Sequence, residues 1–215
     1  MKKKRSSVIT GILFAAAAVM IVTGAIGVAK AAPLITNDRD YKAQMVMSNI
    51  SLQLYENETP VADGAELLAG LKSGFKIGKT YDETMYLVNN GDFGEYVRVT
   101  VYRYWTDTNG KAVNLDPGLI DVHFVEGGGW TINADESTTE RTVLYYSSPI
   151  EPSEATSIFI DKVTIDGKVA RAISEIDGED KLDYDGVVFN IEVVADGVQE
   201  HNGTDAMNSA WGHTN

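Results

Sequence analysis

The sequence predicts an all-β fold, an antiparallel β-sandwich of jelly-roll type with short helical insertions and a short C-terminal helix. Three observations carry this. Runs of β-branched and aromatic residues alternate with polar ones, Gly, Asp, Asn or Pro bounds each run, and no helical period repeats along the chain.

Residues 1–31 read as an export signal. Lys2, Lys3, Lys4 and Arg5 form a basic start, and an uncharged run from Ser6 to Ala29 follows. The run closes on Ala29-Lys30-Ala31, which puts small residues at the −3 and −1 places of a cleavage site. The rival reading is an uncleaved anchor, since the apolar run is long enough to span a bilayer. Small residues placed where that run ends favour cleavage by a signal peptidase. The expectation is then a secreted protein that meets the membrane only while its signal is uncleaved.

Residues 32–48 form an N-terminal segment. Between Leu34 and Met47, Tyr41, Ala43, Met45 and Met47 alternate with Lys42, Gln44 and Val46, which is the pattern of a strand. The β domain follows over 49–215. Its strands are expected at Ile50–Tyr55, Tyr81–Val88, Glu95–Trp105, Thr142–Tyr146, Ser157–Ile165 and Gly186–Asp196, with shorter ones at Asp121–Val125 and Gly129–Ile132. In the third, Val97, Val99 and Val101 point one way and Arg98, Thr100 and Tyr102 the other. In the last long strand, Val187, Phe189, Ile191 and Val193 face inward. Asn89-Asn90-Gly91-Asp92 reads as a turn, and Gly127-Gly128-Gly129 as a flexible hairpin tip. A short helix capped by Asp63 is expected through Leu71. A second, capped by Asn202 or Thr204, runs to Trp211 and stops at Gly212.

Composition narrows the function. The 215 residues carry 18 basic and 31 acidic side chains and no cysteine, a net charge of −13. Removal of residues 1–31 leaves 184 residues with 13 basic groups against the same 31 acids, a net charge of −18. Such a surface repels nucleic acid and anionic lipid. An exported domain of this size without disulfides holds together by its core alone.

No catalytic residue emerges. His123, His201 and His213 fit no zinc-binding spacing, and no Gly-x-Ser-x-Gly motif is present, so the chain is not expected to be an enzyme. Asp177, Glu179, Asp180, Asp183 and Asp185 cluster near two glycines and are candidate calcium ligands, hard oxygens on a tight turn. Their spacing departs from the twelve-residue calcium loop, and an acidic, solvated hairpin is the plainer reading. Tyr102, Tyr104 and Trp105 on one strand offer a platform for a glycan or partner, against core packing as the plainer use.

Three stretches carry a resemblance: "ISLQLYEN", "TMYLVNNGDFGEYVRVTVYRYW" and "YDGVVFNIEVVADGVQEHNGTDAMNSAWG". In order and wording they resemble the TasA/camelysin family of exported proteins, whose members are released by a signal peptidase of the SipW type. The resemblance implies a jelly-roll subunit of extracellular matrix or biofilm fibres of Gram-positive bacteria. It implies assembly by donor-strand complementation, with one subunit's N-terminal segment completing the next subunit's sheet. It also implies that the Asn89-Asn90-Gly91 turn reverses two core strands. Some members carry a metallopeptidase label, which this chain's lack of a zinc motif does not support. A surface adhesin or glycan-binding module is the alternative.

Overall fold

The computed structural model describes residues 51–62, 64–71, 75–176 and 179–212. The signal and its Ala29 and Ala31, the candidate strand with Tyr41, Ala43, Met45 and Met47, and Ile50, Asp63, Asp177 and His213 lie outside the described residues.

The described residues are mostly β, in two antiparallel sheets with one short helix. The first sheet contains β1 (Leu52–Glu56), β2 (Thr59–Pro60), β3 (Thr80–Asn89), β6 (Ile120–Phe124) and β9 (Ile160–Ile165), in the order β2-β1-β3-β9-β6. The second is built from β4 (Glu95–Asp107), β7 (Trp130–Ile132), β8 (Arg141–Tyr146) and β12 (Val188–Gln199), in the order β12-β4-β8-β7, and β5 (Gly110–Lys111) folds back on β4. β10 (Ile173–Ile176) and β11 (Glu179–Leu182) pair as a separate hairpin, and α1 (Gly203–Trp211) closes the chain.

Alternation dictates which faces meet. Val97, Val99, Val101 and Trp105 of β4 are buried together with Met85 and Leu87 of β3, Ile160, Val163 and Ile165 of β9, Ile120 of β6 and Leu144 of β8. Both sheets therefore feed one apolar core, each side chain of this size contributing ~1.5–3 kcal/mol by leaving water. The opposite face of the second sheet receives α1. There Arg98 pairs with Asp196 at 2.9 Å and lies over the Trp211 ring, which meets Tyr145 edge-on. Gly203 starts the helix where a Cβ would come within 2.3 Å of the Tyr96 ring, so only glycine lets α1 begin so close to the sheet.

The Asn89-Asn90-Gly91 turn joins two core strands, β3 and β4. β3 and β4 do not pair; each belongs to a different sheet, so the turn is a corner between layers and not a hairpin that reverses two paired strands. A corner leaves backbone groups with no ladder to satisfy them, and the fully buried Asn89 takes that role. Its amide nitrogen donates to the carbonyls of Phe93 (2.7 Å) and Ile150 (2.9 Å), and its oxygen accepts from Gly91 N at 2.7 Å. Its own N–H donates to Glu154 O, and its carbonyl accepts from Ser153 N.

The Gly127–Gly129 stretch is likewise a crossing between sheets, from β6 to β7, and it is packed where a flexible tip was expected. Gly129 sits at φ +109°, and a Cβ there would be 2.6 Å from the Tyr146 ring. The expected Asp63–Leu71 helix is reduced to one 3-10 turn at Ala69–Leu71. Leu68 adopts φ +59° and donates its N–H to Glu56 Oε1, which breaks the helical ladder before it starts. The expected strand from Ser157 begins only at Ile160, because Phe159 is driven into the core while Ile158 stays exposed. At the C-terminal helix, Asn202 occupies the capping position in a left-handed conformation without a side-chain cap bond, and Thr204 is already inside the helix. Gly212 ends it at φ +66°, as expected.

Asn89→Ala should cost about 3 kcal/mol in urea unfolding, because it strands several buried backbone groups at once. A loss below about 1 kcal/mol would show that the corner does not depend on this side chain.

Candidate functional site: the groove beside the last strand

Among the described residues, a concavity follows the free edge of β12. It encloses about 820 Å³ between Leu52, Gln53 and Leu54 of β1, the segment carrying Leu67, Leu68 and Leu71, and Val188 to Ala195 of β12. Phe75 also lines it, stacked on Tyr81 at 5.2 Å and tilted against Phe189 at 5.1 Å, and Phe189 in turn meets Trp105 edge-on at 6.5 Å. Residues from both faces of β12 line the cavity, so it runs along the strand's edge and is not a hole beneath the sheet.

Topology explains why the groove exists. β12 pairs with β4 through twelve consecutive residues on one side, and among the described residues no strand pairs with its other side. β1 faces it from the first sheet but spends its pairing on β3 and on the two-residue β2. The inward row anticipated from the sequence, Val187, Phe189, Ile191 and Val193, packs against the core yet stays half-buried.

The other sheet edges are blunted. β2 has two residues and ends on Pro60, β7 has three, and β6 breaks register between His123 and Phe124. Short edges, proline and irregular register each discourage pairing with another chain. β12 alone among the described sheet edges is long and regular.

A buried carboxyl stands near the start of β1. Glu95 is fully buried; its Oε1 accepts from Ser51 N at 3.2 Å, and its Oε2 has no partner. Burial pushes this carboxyl up from its ordinary 4.5 to about 7, with the Ser51 amide pulling weakly the other way. Nothing in the sequence marked it, since a Glu opening a strand usually faces water. Glu83 is buried as well; burial raises its pKa on balance, against a 2.5 Å bond from Asn57 that lowers it.

The residues anticipated from the sequence are dispersed. Trp105 is in the core, its indole donating to Asp116 O at 2.8 Å, while Tyr102 and Tyr104 lie on the opposite face of β4. The three rings form no common platform. Glu179 and Asp180 belong to β11, with Asp183 and Asp185 in the turn before β12, so the acidic stretch is a hairpin and turn. Among the described residues no group of three or more His, Asp or Glu side chains is arranged to hold a metal ion. His123 is exposed and bonds Asp161 at 2.5 Å, and His201 is exposed as well. No helix among the described residues is long and apolar enough to cross a membrane.

No protein-family model matches this chain, and no curated protein is detectably similar to it.

An apolar groove of this size should bind an environment-sensitive apolar dye in the native state. Ile191→Ser should cut the fluorescence gain by about half with the far-ultraviolet circular dichroism unchanged. An undiminished signal would place the dye elsewhere.

Proposed function

We propose that this chain is an exported structural protein of the cell surface or extracellular matrix, a TasA-like fibre subunit in which a strand from a neighbouring copy fills the groove beside β12. The observation that carries this reading is the pairing-competent edge of β12 backed by an apolar cleft. An added strand takes main-chain hydrogen bonds from such an edge, while alternate side chains enter the cleft. The dimensions agree. Val188–Ala195 is eight residues, about 26 Å at ~3.3 Å each, and 41–47 is seven residues, about 23 Å. Tyr41, Ala43, Met45 and Met47 would present one side to the cleft, and methionine adapts readily to an irregular pocket.

The strand neighbours lend support to a jelly-roll relation. The triplets β12-β4-β8 and β3-β9-β6 follow the double Greek-key pattern, in which a returning strand lies beside an early one. The departure is at the edges: β1 lies beside β3, whereas a strict jelly roll would set it beside β12. That displacement leaves the place a donor would occupy. Export through the signal, self-association and the absence of a nucleic-acid partner complete the reading. The glycan-binding alternative loses its motivation once Trp105 is counted in the core.

Protein lacking residues 1–48 should remain a folded monomer and form no fibres by electron microscopy, while the chain from residue 32 assembles. A synthetic 34–47 peptide should bind the truncated protein and shift the emission of Trp105, with Trp105→Phe as the control. Fibres formed equally well without residues 32–48 would defeat the proposal.

A further inference from the structure

Glu95 stands where five parts of the chain meet. Its carboxyl holds Ser51 N, and its backbone exchanges bonds with Ile150 (N to O 3.0 Å, O to N 2.8 Å) in the connection between β8 and β9. It pairs in register with Gln199 at the end of β12. Asn89 at the end of β3 donates to the same Ile150 carbonyl. Ser51 is tied on its other side, its carbonyl accepting from Asn90 N at 2.7 Å. The residue that leads into β1 is thus clasped from below by one carboxyl.

We infer that Glu95 is a protonation-dependent latch on the root of β1: neutral, it stays buried and holds Ser51; ionised, it opens that root to water. A buried carboxylate with one hydrogen bond and one unpartnered oxygen is expensive to keep as an anion. The groups bonded to it from the segment ahead of β1 and from the β8–β9 connection are Ser51 and Ile150, neither of them ionisable. The charged groups beside Gly94, the residue before it, are acids. Glu200 and Glu151 gather about the Cβ position of Gly94, at 2.7 and 3.4 Å, and Glu154 bonds Glu151 N. They offer an ionised Glu95 no compensation. Relief requires water, and Ser51 is the cheapest element to move. It ties to the body here through two hydrogen bonds, whereas β4, β3 and β12 are locked in long ladders.

The direction with pH follows. The folded value of about 7 exceeds the ordinary 4.5, so the stability that neutral Glu95 permits is complete below about 4.5 and is lost as pH rises through about 7. Between pH 6 and 8.5 these two values make root opening about tenfold more favourable. The latch deepens the proposed function by setting when the root of β1 opens, but it is tested on the monomer, where assembly plays no part.

The test is carbon-detected NMR of the Glu95 carboxyl in the mature monomeric protein, with amide exchange at Ser51 to Gln53 measured alongside. A titration midpoint near 7 is expected. After correction for the intrinsic pH dependence, exchange should be about tenfold faster at pH 8.5 than at pH 6, and Glu95→Gln should abolish that increase. A midpoint near 4.5, or the same pH response in wild type and Glu95→Gln, overturns the latch. Neither outcome depends on whether fibres form.

Discussion

The fold depends on one buried polar corner, where β3 leaves the first sheet and β4 enters the second. Burying polar groups is costly unless each is bonded, and this corner concentrates many of them in the core. Asn89 satisfies the backbone on both sides of it, and Glu95 caps the neighbouring Ser51. Because the side chain of Asn89 reaches Ile150, the connection between β8 and β9 is tied to the same point. The two sheets are thereby locked face to face, so the rows headed by Val97 and Met85 have a common interior to fill.

From that corner follows the position of β1. Anchored at Ser51 by Glu95 and Asn90, it can only run alongside β3, with Leu52 opposite Asn89 and Glu56 opposite Met85. It is then unable to cover β12, which belongs to the other layer. The groove is thus a consequence of where the polar clasp holds the chain, and its apolar lining is core that one layer leaves unfinished. The same clasp contains Glu95, a carboxyl that burial holds above its ordinary pKa, so groove and buried acid share a single structural cause.

The strands were legible in the sequence because alternation reports burial directly. Val97, Val99 and Val101 fall in the core, and the Gly212 stop holds. What alternation does not report is which sheet a strand joins. Asn89-Asn90-Gly91 has hairpin chemistry, yet Asn89 turns inward to serve three partners, a role that exists only after distant Ile150 arrives. Gly127–Gly129 reads as loose for the same reason, since the Tyr146 ring that packs on Gly129 comes from another strand. Trp105 illustrates the converse. Its neighbours Tyr102 and Tyr104 suggested a platform, but its parity is that of Val101, and period two alone assigns it to the core. The groove left a faint trace, an inward apolar row on β12 that the fold covers only halfway.

Charge constrains how such a chain can associate at all. With 31 acids against 18 bases, two copies repel, and contact through broad complementary surfaces is penalised. Hydrogen bonding along a strand edge escapes most of that penalty, because the peptide groups are neutral and the contact is confined to a narrow cleft. The segment from Leu34 to Met47 is also nearly balanced, with Asp38 and Asp40 against Arg39 and Lys42. On the proposed reading, a near-neutral segment entering that groove on a strongly acidic body is an association the charge tolerates. The same repulsion then protects the blunted edges from pairing at random.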